Sequence, residues 1–182
     1  VYKRQDDKVP AGLVTRAQWH QDQGVVLTEA DNTEMLTVWI PLTKATTENG
    51  CLLVVNKSHT NGLALHCMRT TERPQWKGIE IPEKNIKEDK IPLEVKPGDV
   101  IFMTKFTKHS SLQNNSDDIR WSFDLRYQPT GQPTGRPYFP GFVARSRKNP
   151  ESELKDHKEW RKLWRDAKEK LANNFQWEHF NR

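Results

Sequence analysis

Residues 35–42 (MLTVWIPL) and 51–56 (CLLVVN) are two short apolar runs separated by the polar turn at residues 43–50 (TKATTENG). Runs this short, rich in β-branched and aromatic residues, read as buried strands, because a buried helix needs a longer apolar pattern. Both strands are expected in one sheet system. The pattern recurs downstream. Residues 91–95, the Pro97-Gly98-Asp99 turn and residues 100–105 read as strand, tight turn and strand. Residues 121–127 alternate: Trp121, Phe123, Leu125 and Tyr127 face one way, and Arg120, Ser122, Asp124 and Arg126 face the other.

Around these strands the chain is irregular. Residues 1–18 are polar and carry Pro10 and Gly12, which marks a loop. Residues 69–90 are polar and interrupted by Pro74, Gly78 and Pro82, so they read as a long excursion between strands and a candidate lid. Residues 128–141 are rich in Pro and Gly. After them Asn149 is placed to cap a helix with Pro150 at its first position. Leu154, Trp160, Leu163, Trp164, Ala167 and Leu171 form its apolar stripe. This amphipathic helix, expected over residues 149–172, suits covering a sheet or helping a dimer contact. Many short strands and one helix predict a mainly β fold, an antiparallel barrel or jelly roll.

The chain has 182 residues, within the size of one domain. Its 29 Lys+Arg against 24 Asp+Glu give a net charge of +5, with much of the excess after Arg145. That balance suits an acidic ligand as well as nucleic acid. Two cysteines, Cys51 and Cys67, are too few for a disulfide framework and are not spaced as a zinc pair, which favours a reducing, cytoplasmic setting. No apolar run approaches the roughly 18 residues that span a bilayer, so a soluble protein is expected. The first residue is Val1, and a missing N-terminal portion is expected.

The chemistry begins at His20-Gln21-Asp22. On an extended backbone, residues two apart project from one face, so this imidazole and carboxylate can share an ion. Two imidazoles and one carboxylate form the facial triad of non-haem iron(II) oxygenases, which leaves positions open for co-substrate and O2. A second histidine is needed, and His59, His66 and His109 are the candidates, with His157 and His179 set aside in the tail. His109 stands out because it follows the strand at 100–105 and precedes Arg120 on the polar face of the next. A buried guanidinium there can grip a carboxylate through two parallel charge-assisted bonds.

Taken in order, His20-Gln21-Asp22, Trp39, Asn49-Gly50-Cys51-Leu52, Ser58-His59, Pro97-Gly98-Asp99, and His109 followed by Arg120 resemble the phytanoyl-CoA dioxygenase family over residues 19–128. The resemblance implies a double-stranded β-helix (a cupin-like jelly roll) filling a single domain over residues 1–182, with iron(II) as cofactor and 2-oxoglutarate and O2 as co-substrates. Residue by residue, it implies that His20, Asp22 and His109 bind iron and that Arg120 and Ser111 hold the distal carboxylate. Gln21 and Trp39 would line the co-substrate pocket. One departure is Asn56-Lys57-Ser58-His59, where the family usually shows Pro-Gly-Ser-His. The implied reaction hydroxylates a C–H bond of a small molecule and releases succinate and CO2. Asp22 fills the position that related halogenases leave vacant for halide.

Two other readings compete. Arg120 and Arg126, six residues apart, resemble the paired arginines of nucleic-acid dealkylases of the same superfamily, although six strand residues span about 20 Å. A jelly-roll binding protein that has lost its chemistry is the non-enzyme alternative. Arg126, Arg136 and Arg145 fit solvated or salt-bridged surface charge better than an acidic-substrate site. The expected partner is a small molecule, not nucleic acid or membrane, with the chain a monomer or homodimer.

Overall fold

The structure is a computed structural model that describes residues 16–68 and 79–174. Most of the expected N-terminal loop, the first part of the lid candidate and His179 lie outside the described residues. Strands come in the order β1 (Leu36–Pro41), β2 (Leu52–Val55), β3 (Cys67–Met68), β4 (Ile79–Glu80), β5 (Lys90–Leu93), β6 (Ile101–Thr104), β7 (His109–Ser111) and β8 (Ser122–Tyr127), followed by helix α1 (His157–Asn174). The chain groups into two compact units. The eight strands of the described residues belong to the first, which includes Glu34–Tyr127; the second takes Val26–Thr33 and the described residues from Gln128, with α1.

In the first unit, two antiparallel three-stranded sheets have the orders β6-β1-β8 and β5-β2-β7, and β3 pairs with β4. The runs at 35–42 and 51–56, expected in one sheet, thus sit in different sheets. Their connection explains the separation. Ala45 and Val95 exchange backbone bonds of 2.8 and 3.1 Å. Asn49 accepts the Thr46 N–H at 2.8 Å and donates to the Lys44 carbonyl at 2.8 Å, and Gly50 takes φ 88°, a left-handed value that redirects the chain. The segment at 91–105 also divides, with β5 on β2 and β6 on β1. Between them the Asp99 carboxylate accepts the Lys96 N–H at 2.9 Å.

Trp39, Cys51, Leu52 and Met103 are buried together, with Val54, Leu93 and Ile101 packed against them, so residues of both sheets share one core. Burying a large apolar side chain contributes roughly 1.5–3 kcal/mol. A second cluster joins Trp19, Val55, Ile81 and Ile86. It corrects the lid expectation for residues 79–90: Ile81 and Ile86 are 2% and 6% exposed, and the Ile81 N–H donates to the Trp19 carbonyl at 2.7 Å. Two isoleucines in a polar stretch are enough to fasten it. Lys57 stands where the resemblance expects glycine, and it adopts the left-handed conformation itself, at φ 57°.

The alternation in β8 holds at its start, where Ser122 is buried and Phe123 exposed, and fades beyond it: Asp124 and Leu125 are both half-buried, and Arg126 and Tyr127 are both exposed. On β1, Trp39, opposite Asp124, is buried, and Leu36, opposite Tyr127, is exposed.

In the second unit the helix starts later than expected. Asn149 makes no side-chain cap, Pro150–Ser152 form one 3-10 turn, and Glu153 is extended. The Glu153 carboxylate accepts the Ser146 N–H at 3.0 Å, and Asp156 provides the cap by accepting the Lys158 N–H at 2.8 Å. Of the expected stripe only Ala167 is buried; Trp160 and Trp164 are exposed, with Phe139 beside Trp164 at 5.8 Å between ring centroids. No helix among the described residues is long and apolar enough to cross a membrane.

Candidate active site

Strand pairing brings the two histidines together. The backbone N–H of His20 donates to the His109 carbonyl, and that of His109 to the His20 carbonyl, both at 3.0 Å, so residues far apart in sequence form one antiparallel bridge. The ring centroids lie 4.2 Å apart. Each Nδ1 meets a backbone carbonyl two residues back: Gln18 at 2.7 Å for His20, and Thr107 at 2.9 Å for His109. A carbonyl only accepts, so Nδ1 carries the proton and the neutral ring keeps its lone pair on Nε2. Asp22 opens the 3-10 turn Asp22–Val25 and is fully buried, with its Oδ1 3.9 Å from His20 Nε2. One donor atom from each of His20, Asp22 and His109 lies within 4.8 Å of the others. Two imidazoles with oriented lone pairs and one carboxylate fit a divalent first-row ion.

The turn bearing these donors is clamped from behind. Gln21, expected to line the co-substrate pocket, is not on the cavity wall: its amide donates to the Gly62 and Phe106 carbonyls at 2.8 and 2.7 Å and accepts the Ala64 N–H at 2.7 Å. With 0% exposure it is a strut between the two donors. His66, an open candidate ligand, is also structural. Its Nε2 accepts the Gln21 N–H at 3.0 Å, and its Nδ1 donates to the Ala64 carbonyl at 2.8 Å. The ring lies so close to Gly24 that a Cβ there would sit 2.2 Å from Nε2. His59 is exposed.

His20, His109, Trp39, Arg120, Ser122 and Asp124 line one cavity, with Leu52 and Met103 as apolar wall. Arg120 is 3% exposed. Its Nε donates to the Gly50 carbonyl at 2.8 Å, its Nη1 to the Ser122 hydroxyl at 3.0 Å, and its guanidinium lies 5.2 Å from the Trp39 ring centroid. Among the described residues no carboxylate forms an ion pair with it; Asp124 attracts it only from beyond ion-pair distance, and burial, the larger effect, pushes its pKa below the usual arginine value. Ser111, expected beside Arg120, accepts the Ala17 N–H at 2.9 Å instead. The hydroxyl at the guanidinium belongs to Ser122, two residues along the same strand face.

Arg126 goes elsewhere. Its Nη2 and Nε donate to Asp22 Oδ1, the latter at 3.2 Å, while Thr37 donates to Asp22 Oδ2. Burial alone would raise the Asp22 pKa, but the charge of His109 when that ring is protonated, the Arg126 guanidinium, a protonated His20 and the Thr37 hydroxyl hold it well below the usual carboxylate range. Arg120 and Arg126 therefore do not converge on one acid, contrary to the dealkylase comparison. The β8 alternation put Arg126 on the inner face; no local signal tied it to Asp22, 104 residues away.

Comparisons with known proteins bear on the family and the fold. A profile of the family described as phytanoyl-CoA dioxygenase (PhyH) matches residues 8–122. The chain is 31% identical over 122 residues to 1-deoxypentalenic acid 11-beta-hydroxylase of Streptomyces arenae, covering 64% of this chain and 42% of that protein. It is 33% identical over 109 residues to phytanoyl-CoA dioxygenase 1 of Oryza sativa subsp. japonica, covering 56% and 38%. The chain thus spans less than half the length of these relatives. The crystal structure of EvdO2 from Micromonospora carbonacea var. aurantiaca shares the fold at a TM-score of 0.52 and 19% identity, over 66% of this chain and 50% of that one.

Proposed function

Because the chain belongs to the phytanoyl-CoA dioxygenase family, we propose that it is the core of an iron(II)- and 2-oxoglutarate-dependent oxygenase that hydroxylates a C–H bond of a small molecule. Its two sheets would form the double-stranded β-helix of that class. The observation that carries this reading is Arg120, a buried guanidinium that makes no ion pair among the described residues and stands on the wall that also presents His20 and His109. A metal site alone has no need of it, and a degraded scaffold would gain nothing by burying it.

In this proposal His20, Asp22 and His109 hold the ion. Bound iron(II) with 2-oxoglutarate and O2 supplies the oxidising power: the keto acid becomes succinate and CO2, one oxygen atom enters succinate and the other the substrate. The chain's own residues prepare the site. The Gln18 and Thr107 carbonyls fix both imidazole tautomers before any ligand arrives. Gly50 and Ser122 aim Arg120 into the cavity, where its remaining N–H groups and the Ser122 hydroxyl meet the distal carboxylate of the keto acid. Trp39 covers the guanidinium and, with Leu52 and Met103, excludes water from this end, which strengthens the charge pairing.

The test is anaerobic addition of iron(II) and 2-oxoglutarate to the chain. The expected result is a weak visible charge-transfer band that disappears in His109→Ala and needs far more 2-oxoglutarate in Arg120→Ala. A chain without the band, or a band indifferent to both substitutions, would overturn the assignment.

A further inference from the structure

Asp22 is held from two sides. Thr37 takes Oδ2, and Arg126 takes Oδ1, the oxygen that faces His20. Arg126 is itself anchored from β8, since its Nη1 lies 3.4 Å from Oδ1 of Asp124, a carboxylate on the cavity wall. That Asp124 oxygen is buried and has no hydrogen-bond donor, and the Arg126 guanidinium is the charge in direct reach of it, with Arg120 attracting it from farther away. The three groups form a chain of carboxylate, guanidinium and carboxylate across the inner face of β8. From this arrangement we infer that Arg126 is a positioning residue for the metal centre: anchored by Asp124, it locks the rotation of the Asp22 carboxylate so that one oxygen is presented to the ion.

Two effects oppose each other at this position. A guanidinium fixes the carboxylate through two N–H groups on one oxygen, and loss of such an outer partner typically weakens metal binding by about 10–100-fold. Its positive charge also repels a divalent ion, which by itself would make removal tighten binding. Orientation wins here because Asp22 is fully buried and Thr37 alone leaves Oδ1 unrestrained, while Asp124 neutralises the arginine's charge.

The inference rests on His20, Asp22 and His109 as the metal site, and the experiment separates the two. Mn(II) affinity is measured by EPR of the free ion on the whole chain, with circular dichroism to count folded protein. Wild type is expected to bind one Mn(II), and His109→Ala to lose it. Arg126→Met should bind at least 10-fold more weakly, Arg126→Lys should recover part of the loss, and Asp124→Asn should fall between wild type and Arg126→Met. A role in folding alone would leave the affinity of the folded fraction unchanged, so affinity for Arg126→Met within twofold of wild type, or tighter, overturns the positioning role and leaves the metal site standing. If wild type binds no Mn(II), or His109→Ala binds as well as wild type, the metal site itself fails and the inference with it.

Discussion

The two faces of the β6-β1-β8 sheet reverse the ordinary arrangement. Inward it carries Thr37, Ser122 and Asp124 around Trp39, with Arg126 reaching to Asp22 at its solvent-exposed edge; outward it shows Leu36, Phe102, Phe123 and Tyr127, with Phe102 65% exposed. Polar groups go inside only where each finds a partner or awaits one, and here they find Asp22, Gly50 and one another. The difference teaches that period-two alternation separates two faces without saying which one is buried. Hydrophobicity alone would have chosen the wrong face, and the inner face is fixed instead by the chemistry it surrounds.

Substitutions on the two faces sharpen that contrast, beginning with the largest expected effect. Trp39→Ala removes the buried ring that both fills the core and covers Arg120, so a loss of about 3–5 kcal/mol in chemical denaturation is expected. A loss under 1 kcal/mol would mean that the inner face is loosely packed. Arg120→Ala should weaken 2-oxoglutarate binding by roughly 1.5–3 kcal/mol, about 10–150-fold by isothermal titration, the worth of hydrogen bonds to a charged group. Unchanged affinity would place the co-substrate elsewhere. Gly24→Ala pushes a methyl into the buried His66 ring behind the donor turn and should cost about 1–3 kcal/mol in thermal unfolding. A neutral result would show that the His66 clamp yields. Phe102→Thr, on the open face, should change stability by no more than about 0.5 kcal/mol. If it costs over 2 kcal/mol, the outer face is covered and the contrast fails.

Much of the site was legible because its signals are local. The strand at 121–127 announced Arg120, Ser122, Asp124 and Arg126 as one row, and the spacing of His20 and Asp22 announced a shared face. The register that bridges His20 to His109 was not legible, nor was the short strand β7, since its three residues are His, Ser and Ser. Ser111 and Ser122 are equivalent as hydroxyls in the sequence, and only the path of Arg120 past Gly50 selects Ser122. The helix start was misplaced because Asn149-Pro150 is a sound local capping signal, but the Glu153 carboxylate is drawn back to Ser146 and the helix waits for Asp156.

By itself, then, the sequence determined the family, the strand-rich character and the donor types, all of which depend on residue identity and short spacing. Tertiary structure alone decided that the His20 and His109 rings meet across a backbone bridge, which hydroxyl attends Arg120, and that Arg126 closes on Asp22. The physical reason is range: periodicity and capping act over a few residues, whereas these contacts are set by strand register and by the cost of burying a charge without a partner, which the whole fold must satisfy at once.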